Sequence, residues 1–164
     1  VGVTRELAEF AAGARYEDLP EAVVHEAKRD IINVLGVALY ASRDPSLTIL
    51  LKHFEAEGGR PRATVWGAGV KTPLANAAAL ANGYTAHLED YDDTHFPTVM
   101  HPTSPTLPAA FAPAEELGRS GRDLIAAVAL GIEVCCRICV AVHPWHYDEG
   151  WHITGTMGVF GAAI

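Results

Sequence analysis

The chain is short of several things, and each shortage narrows what it can be. It lacks a basic excess: 12 Lys and Arg stand against 20 Asp and Glu, a formal net charge of −8. A phosphate backbone needs a concentrated basic face, so nucleic acid is not expected as a partner. A small anionic substrate needs only a local positive group and stays open. Cysteine is scarce, and Cys135, Cys136 and Cys139 crowd into one segment. An odd, clustered set makes a poor disulfide framework and suits a reducing, cytoplasmic setting. These cysteines read as small apolar core residues of a helix. The N-terminal VGVTRELAEF has no basic leader, long apolar core or small-residue cleavage site, so no signal peptide is expected there. The longest apolar run, Ile125 to Val142, is interrupted by Glu133 and Arg137. That pair sits at i,i+4, as in a buried helix of a water-facing protein rather than a membrane span. Repeats, low-complexity tracts and long linkers are absent, which leaves one domain over 1–164.

What is present reads almost entirely as helix. Thr4 is expected to cap a first helix running to Ala12 and closed by Gly13. Pro20 suits a first turn, and apolar residues at 23, 24, 27, 31, 34, 35 and 38 carry that helix to Ala41. The stripe is wide enough to predict burial on more than one side. Ser46 is expected to cap a helix reaching Glu57, ended by Gly58 and Gly59. Ala63 to Trp66 is strand-like but too short alone for a sheet. Thr72 and Pro73 pair as cap and first turn of an alanine-rich helix to about Glu89. Thr103-Ser104-Pro105 starts another, ending near Gly118. Arg122 or Asp123 opens the cysteine helix, and a last helix begins near Thr154 or Thr156. Small residues in AAALANGYTA and GVFGAAI predict close helix-to-helix approach. The apolar pattern still running at Ile164 is expected to continue in a longer polypeptide.

The chemistry concentrates in HLEDYDDTHFPTVMH, from His87 to His101. Glu89, Asp90, Asp92 and Asp93 fall where a helix should end. The helix dipole and their mutual repulsion both penalise carboxylates there. A sequence tuned for stability would place Lys or Arg instead. A solvated acidic loop remains the plain alternative. His101 directly precedes one helix start, and His152 precedes another, in GWHITGTMG. Unpaired amides at a helix N-terminus favour anions, so the two starts suit a substrate with more than one carboxylate. An imidazole beside such a carboxylate can move a proton. His87, Asp90 and Asp93 are a possible divalent-metal set, and His143 with His146 a poorer one because Pro144 separates them.

Three runs in order, NAAALANGYTAHLEDYDDTH, MHPTSPTLPAAFAPAE and GWHITGTMGVFGAA, with DIINVLGVAL and ATVWG before them, resemble the N-terminal helical domain of the MmgE/PrpD family. The resemblance implies an all-α domain, truncated here, with a smaller α+β domain absent from this chain and a homodimeric full-length enzyme. It implies cofactor-independent and metal-independent chemistry on small di- and tricarboxylic acids. Carried over by motif, Asp90, His101 and His152 are the expected catalytic residues, with Thr94 contacting substrate; Asp93 and Thr154 are further expected substrate contacts. The loop from Thr94 to His101 is one residue longer than in the decarboxylase pattern, and HITGT is closer to the dehydratase-like members. Both point away from decarboxylation and towards a hydro-lyase resembling 2-methylcitrate dehydratase. Further pocket residues, a lysine among them, are expected beyond this chain. Epimerisation or decarboxylation on the same scaffold is the alternative. A helical association module without activity is the non-catalytic one. Asp90-Tyr91-Asp92-Asp93 also spells the D-x-D-D of terpenoid cyclases, but the aromatic-rich repeats of such pockets are missing.

Overall fold

A computed structural model describes residues 2–72 and 75–164, with backbone only for Ala75 and Asn76. The architecture is all-α, as the sequence predicts. Its helices are α1 (Val3–Gly13), α2 (Glu21–Ala41), α3 (Pro45–Glu57), α4 (Ala75–His87), α5 (Thr103–Leu117), α6 (Gly121–Val142), α7 (Trp145–Asp148) and α8 (Ile153–Ala162). A 3-10 turn, Tyr16–Asp18, joins α1 to α2.

Several boundaries differ from expectation for local reasons. Gly2 stands at the N-cap of α1 with no side-chain bond, so Thr4 is not a cap. Pro20 is itself the N-cap of α2 rather than a first-turn residue. Asp44, not Ser46, caps α3: its Oδ1 accepts from Ser46 N at 2.8 Å, and Pro45 fills the first helical position. Ser120 and Asp123 form a reciprocal capping box that starts α6 at Gly121. The strand-like run does find a partner. Ala63–Val65 (β1) pairs antiparallel with Val70–Thr72 (β2), turning through Gly67 and Gly69 at φ 72° and 69°. Thr72 therefore ends a strand, and the cap-plus-turn start expected at Pro73 lies outside the described residues.

Burial in α2 corrects a second expectation. Val24, Ala27, Val34, Val37, Ala38 and Ala41 are buried, but Ile32, Leu39 and Tyr40 are exposed, so within this chain α2 covers a core on one face only. Gly36 lies on the open side, with no atom of the described residues within 4 Å of where a Cβ would stand. Gly36→Ala is therefore expected to gain about 1 kcal/mol from helix propensity, a rise of roughly 2–4 °C in Tm. A thermal melt showing a loss instead would contradict an open face.

The core has two parts that matter for the site. Val34, Ala38, Trp66, Ala86, Leu107 and Val128 join α2, the hairpin, α4, α5 and α6. Buried Asn82 locks the hairpin onto α4, accepting from Trp66 N at 2.9 Å and donating to Thr64 O at 3.0 Å. Met100, Cys135, Cys139, Ile153 and Met157 form the second part, between the loop before α5, α6 and α8. The cysteines are free, with Cys135 and Cys139 buried, as core residues should be; burial pushes the Cys139 thiol up to about 11. By length and apolarity α6 could cross a membrane, but its buried face packs in this bundle and Glu133 pairs with Arg137 on its exposed side.

Small residues let these helices touch. At Gly131 a Cβ would stand 2.4 Å from Thr106 Cγ2 and 2.6 Å from Gly161 O, and at Gly158 one would stand 2.6 Å from Pro105 Cγ. α5, α6 and α8 thus meet almost backbone to backbone. This draws the starts of α5 and α8 to the end of α4.

Candidate active site

Four chain segments meet at that junction. α4 ends at His87 rather than Glu89, so His87 occupies its last turn. The chain reverses through Asp90, whose N–H donates to His87 O at 3.2 Å and whose φ is +51°. Aspartate tolerates that left-handed conformation better than most residues. A tight turn follows: His95 N donates to Met100 O at 2.7 Å, Thr98 N to His95 O at 3.0 Å, and His95 Nδ1 meets Thr98 Oγ1 at 2.8 Å. Val99 closes it at φ +52°, a strained position for a β-branched residue. The turn buries Met100 and delivers His101 to the entrance of α5.

The centre of the group is Asp92, whose side chain is 0% exposed. Its Oδ2 accepts from the Ser104 hydroxyl. Its Oδ1 lies 3.1 Å from His87 Nδ1 and 3.3 Å from His101 Nδ1. His101 Nε2 in turn lies 3.5 Å from Asp90 Oδ1, on a side chain that is 77% exposed. His152 joins from the start of α8. The His87 ring centroid is 5.0 Å from that of His101 and 5.8 Å from that of His152. The Asp92 hydrogen bond raises the His87 pKa above the ordinary imidazole value against the opposing effect of burial.

Of the expected site residues, Asp90, His101 and His152 come together here. Thr94 lies on the exposed side of the loop, its hydroxyl 3.5 Å from Asp92 O, at the weak limit of a hydrogen bond. Thr154 is buried, and its Oγ1 accepts the His101 N–H at 3.0 Å, tying α8 to the α5 entrance. Asp93 turns away to take the Thr103 hydroxyl at 2.8 Å on Oδ2, while its buried Oδ1 has no partner among the described residues. Burial pushes the Asp93 carboxyl up to about 6, with Asp30 and Asp92 adding repulsion.

The two helix starts differ from the open anion sites expected of them. Ser104 and Thr103, the first hydroxyls of α5, already hold the protein's own Asp92 and Asp93. At α8, the His152 ring is the cap: its Nδ1 accepts from Gly155 N at 3.1 Å. Charge recognition at this junction therefore falls to imidazoles more than to free helix amides. Sequence reasoning placed His87 and Asp92 in the acidic stretch without giving either a catalytic role, and read Ser104 only as part of a helix start. A carboxylate five residues after a histidine is the available signal, but which of four acids in a loop turns inward depends on the turn at Asp90.

The metal set expected from His87, Asp90 and Asp93 is replaced by another. His87, Asp90, Asp92 and His101 each place one donor atom within 4.8 Å of the others, a mixed nitrogen and oxygen set able to hold a divalent ion. An ion there would displace the hydrogen bonds these residues make with one another. The His143–His146 pair does not form: His143 ends α6, and His146 in α7 meets Thr156 Oγ1 at 2.7 Å and stacks on Trp151. A cavity of about 480 Å³ between β1, α5 and α6, lined by Trp66, Phe111 and Glu115, lies away from the histidines.

The sequence comparisons point to one family. Residues 5–164 match the profile of the MmgE/PrpD N-terminal domain. The chain is 30% identical to the cis-aconitate decarboxylase of Homo sapiens over 167 residues, 98% of this chain and 34% of that protein. It is 30% identical to the mouse enzyme of the same name over 98% of the chain. It is also 30% identical to the Aspergillus terreus cis-aconitate decarboxylase over 99% of the chain and 34% of that protein. The chain thus spans about a third of the length of these curated relatives.

Proposed function

The chain belongs to the MmgE/PrpD family, and we propose that the full-length protein is a lyase acting on a small di- or tricarboxylic acid. The observation that carries this is the convergence of three imidazoles, His87, His101 and His152, around one buried carboxylate and one exposed one. Such a group can attract a substrate carboxylate when an imidazole is protonated and can exchange a proton with the adjacent carbon.

In the proposed reaction, His101 or a base from outside this chain removes a proton alpha to a carboxylate. Preorganised donors stabilise the carbanion so formed. In the dehydratase form, an acid then protonates the departing hydroxyl, water leaves, and an alkene results. The extra residue in the Thr94–His101 loop and the HITGT start favour this form, with 2-methylcitrate as the type of substrate. Decarboxylation is the second reading: the names of the relatives at 30% identity favour it, and it uses the same imidazoles to protonate the carbanion left by carbon dioxide. As part of the same proposal the enzyme is cytoplasmic and homodimeric, works without a metal or organic cofactor, and has neither nucleic acid nor membrane as a partner. Asp93 and Thr154 serve it by holding the starts of α5 and α8, and Thr94 contacts substrate.

His101→Ala in the full-length protein is expected to lower kcat/KM by roughly 100- to 1,000-fold, the usual weight of a positioned acid or base. Turnover of 2-methylcitrate and cis-aconitate followed by proton NMR measures it and identifies the product. Unchanged turnover on the better substrate would remove His101 from the mechanism.

A further inference from the structure

Hydrogen-bond direction in this group determines which nitrogen of each ring carries a proton. A carboxylate only accepts. His87 Nδ1 lies 3.1 Å from Asp92 Oδ1 and 3.2 Å from Oδ2. His101 Nδ1 is hydrogen-bonded to the Asp92 backbone oxygen at 3.3 Å, another pure acceptor, with Asp92 Oδ1 also 3.3 Å away. Each Nδ1 must therefore be the donor, and each neutral ring keeps its lone pair on Nε2. His152 has the reverse arrangement. Its Nδ1 accepts from the Gly155 amide at 3.1 Å, and an amide N–H can only donate. The proton of a neutral His152 is thus on Nε2.

We propose that Asp92 is a positioning residue that holds His87 and His101 as two imidazoles with basic Nε2 atoms, facing a His152 whose Nε2 is a donor. This rests on the lyase reading and deepens it, because it divides the proton-accepting and proton-donating roles among the three rings. It also adds His87 as a second base beside His101. Two further contacts fit the division. The Ser104 hydroxyl holds Asp92 Oδ2 and so aims Oδ1 at both rings, the way an outer hydrogen bond orients a functional group. Asp90 Oδ1 stands 3.5 Å from His101 Nε2, placed to pair with that nitrogen once it has taken a proton. His152 has no such acceptor at Nδ1: a proton there would displace the Gly155 amide from the cap on α8.

Long-range proton–nitrogen NMR of the 15N-labelled protein at pH 8 tests the assignment directly. His87 and His101 are expected to show a pyrrole-type Nδ1 and a pyridine-type Nε2, with His152 showing the opposite pair. Asp92→Asn, which can turn an amide donor towards His87, is expected to switch His87 to the Nε2–H form while leaving His101, still held by the Asp92 backbone oxygen, and His152 unchanged. Finding Nε2–H on both rings in the unsubstituted protein overturns the proposal, and that spectrum needs no variant to fold. An unaltered His87 tautomer in a folded Asp92→Asn protein also overturns it. Titration with cis-aconitate separates this from the underlying reading. Expected tautomers with histidine signals that ignore cis-aconitate sustain the positioning role and count against the substrate class. Reversed tautomers sink the positioning role whatever the titration shows.

Discussion

Gly131→Ala is expected to destabilise the fold by about 3 kcal/mol, despite alanine being the better helix former. The added methyl would stand 2.4 Å from Thr106 Cγ2 and 2.6 Å from Gly161 O. A side-chain end can rotate away, but a backbone oxygen in the last turn of α8 moves only with that turn. Overpacking a tight interior costs about 1–3 kcal/mol, and the rigid neighbour puts this case at the upper end. Gly→Ala in an open helix gains about 1 kcal/mol, as expected for Gly36, so the two substitutions should move stability in opposite directions. In a chain of this length the loss amounts to roughly 10 °C in Tm. Gly161→Ala strikes the same crossing, with Thr106 Oγ1 at 2.7 Å and Gly131 O at 2.8 Å. The double variant should lose less than the sum, since both insert a methyl into one gap. Urea unfolding measures all three, and a Gly131→Ala midpoint equal to the unsubstituted one would mean that α6 and α8 do not meet as described.

Asp93→Asn is expected to stabilise the protein near pH 7.5 by about 2 kcal/mol. Burial raises the Asp93 pKa from 3.8 to about 6, so the folded state favours the protonated carboxyl. The sign follows from linkage. Between the unfolded and folded values the native state binds more protons, so this group's contribution is fully present below about pH 4 and is lost as pH rises through about 6. A shift of that size corresponds to about 3 kcal/mol at most, and the partial exposure of Asp93 reduces it. The amide removes the charge, keeps an oxygen for the Thr103 hydroxyl, and brings a donor to the site where Oδ1 has no partner among the described residues. Urea unfolding of both proteins at pH 4 and pH 7.5 makes the comparison: equal stabilities at low pH and a gain for Asp93→Asn at high pH are expected. A variant equally or less stable at pH 7.5 would show that ionised Asp93 is tolerated in its buried place. The same ionisation sets Asp93 against Asp30 on α2, whose carboxyl burial also raises.

Much of the helical architecture was legible because helix signals are local. Thr103, Gly118 and the alanine-rich run of α4 each act within one or two turns. The Glu133–Arg137 pair formed as its i,i+4 spacing requires. The errors are equally local in form but were decided by competition. Asp44 outcompeted Ser46 as a cap because Pro45 already occupied the first helical position. Ser120 reached Asp123 before Arg122 could open α6. Ala63–Val65 became a strand because Val70–Thr72 lay two glycines away and Asn82 supplied bonds that a four-residue run cannot supply for itself.

For the site, the sequence by itself determined the segments, the chemistry and the resemblance. His87, Asp90, His101 and His152 could be read as imidazoles and carboxylates beside helix ends, and the three motif runs pointed to the family that the comparisons confirm. Only the tertiary structure decided which acid faces inward. Within the Asp90–Asp93 run, a left-handed residue at Asp90 turns Asp92 into the junction and Asp93 towards Thr103. A one-residue change of phase there would exchange them. The structure also decided that the helix starts are already occupied, by Asp92, Asp93 and the His152 ring. That depends on the close approach of α8 to the start of α5, where Gly158 meets Pro105 and Thr154 takes the His101 amide. The physical reason is range: caps and periodicity act over a few residues, whereas the Asp92 cluster spans Ser104 and the His87–His152 approach spans three helices, α5, α6 and α7. Such contacts exist only once packing has brought distant segments together.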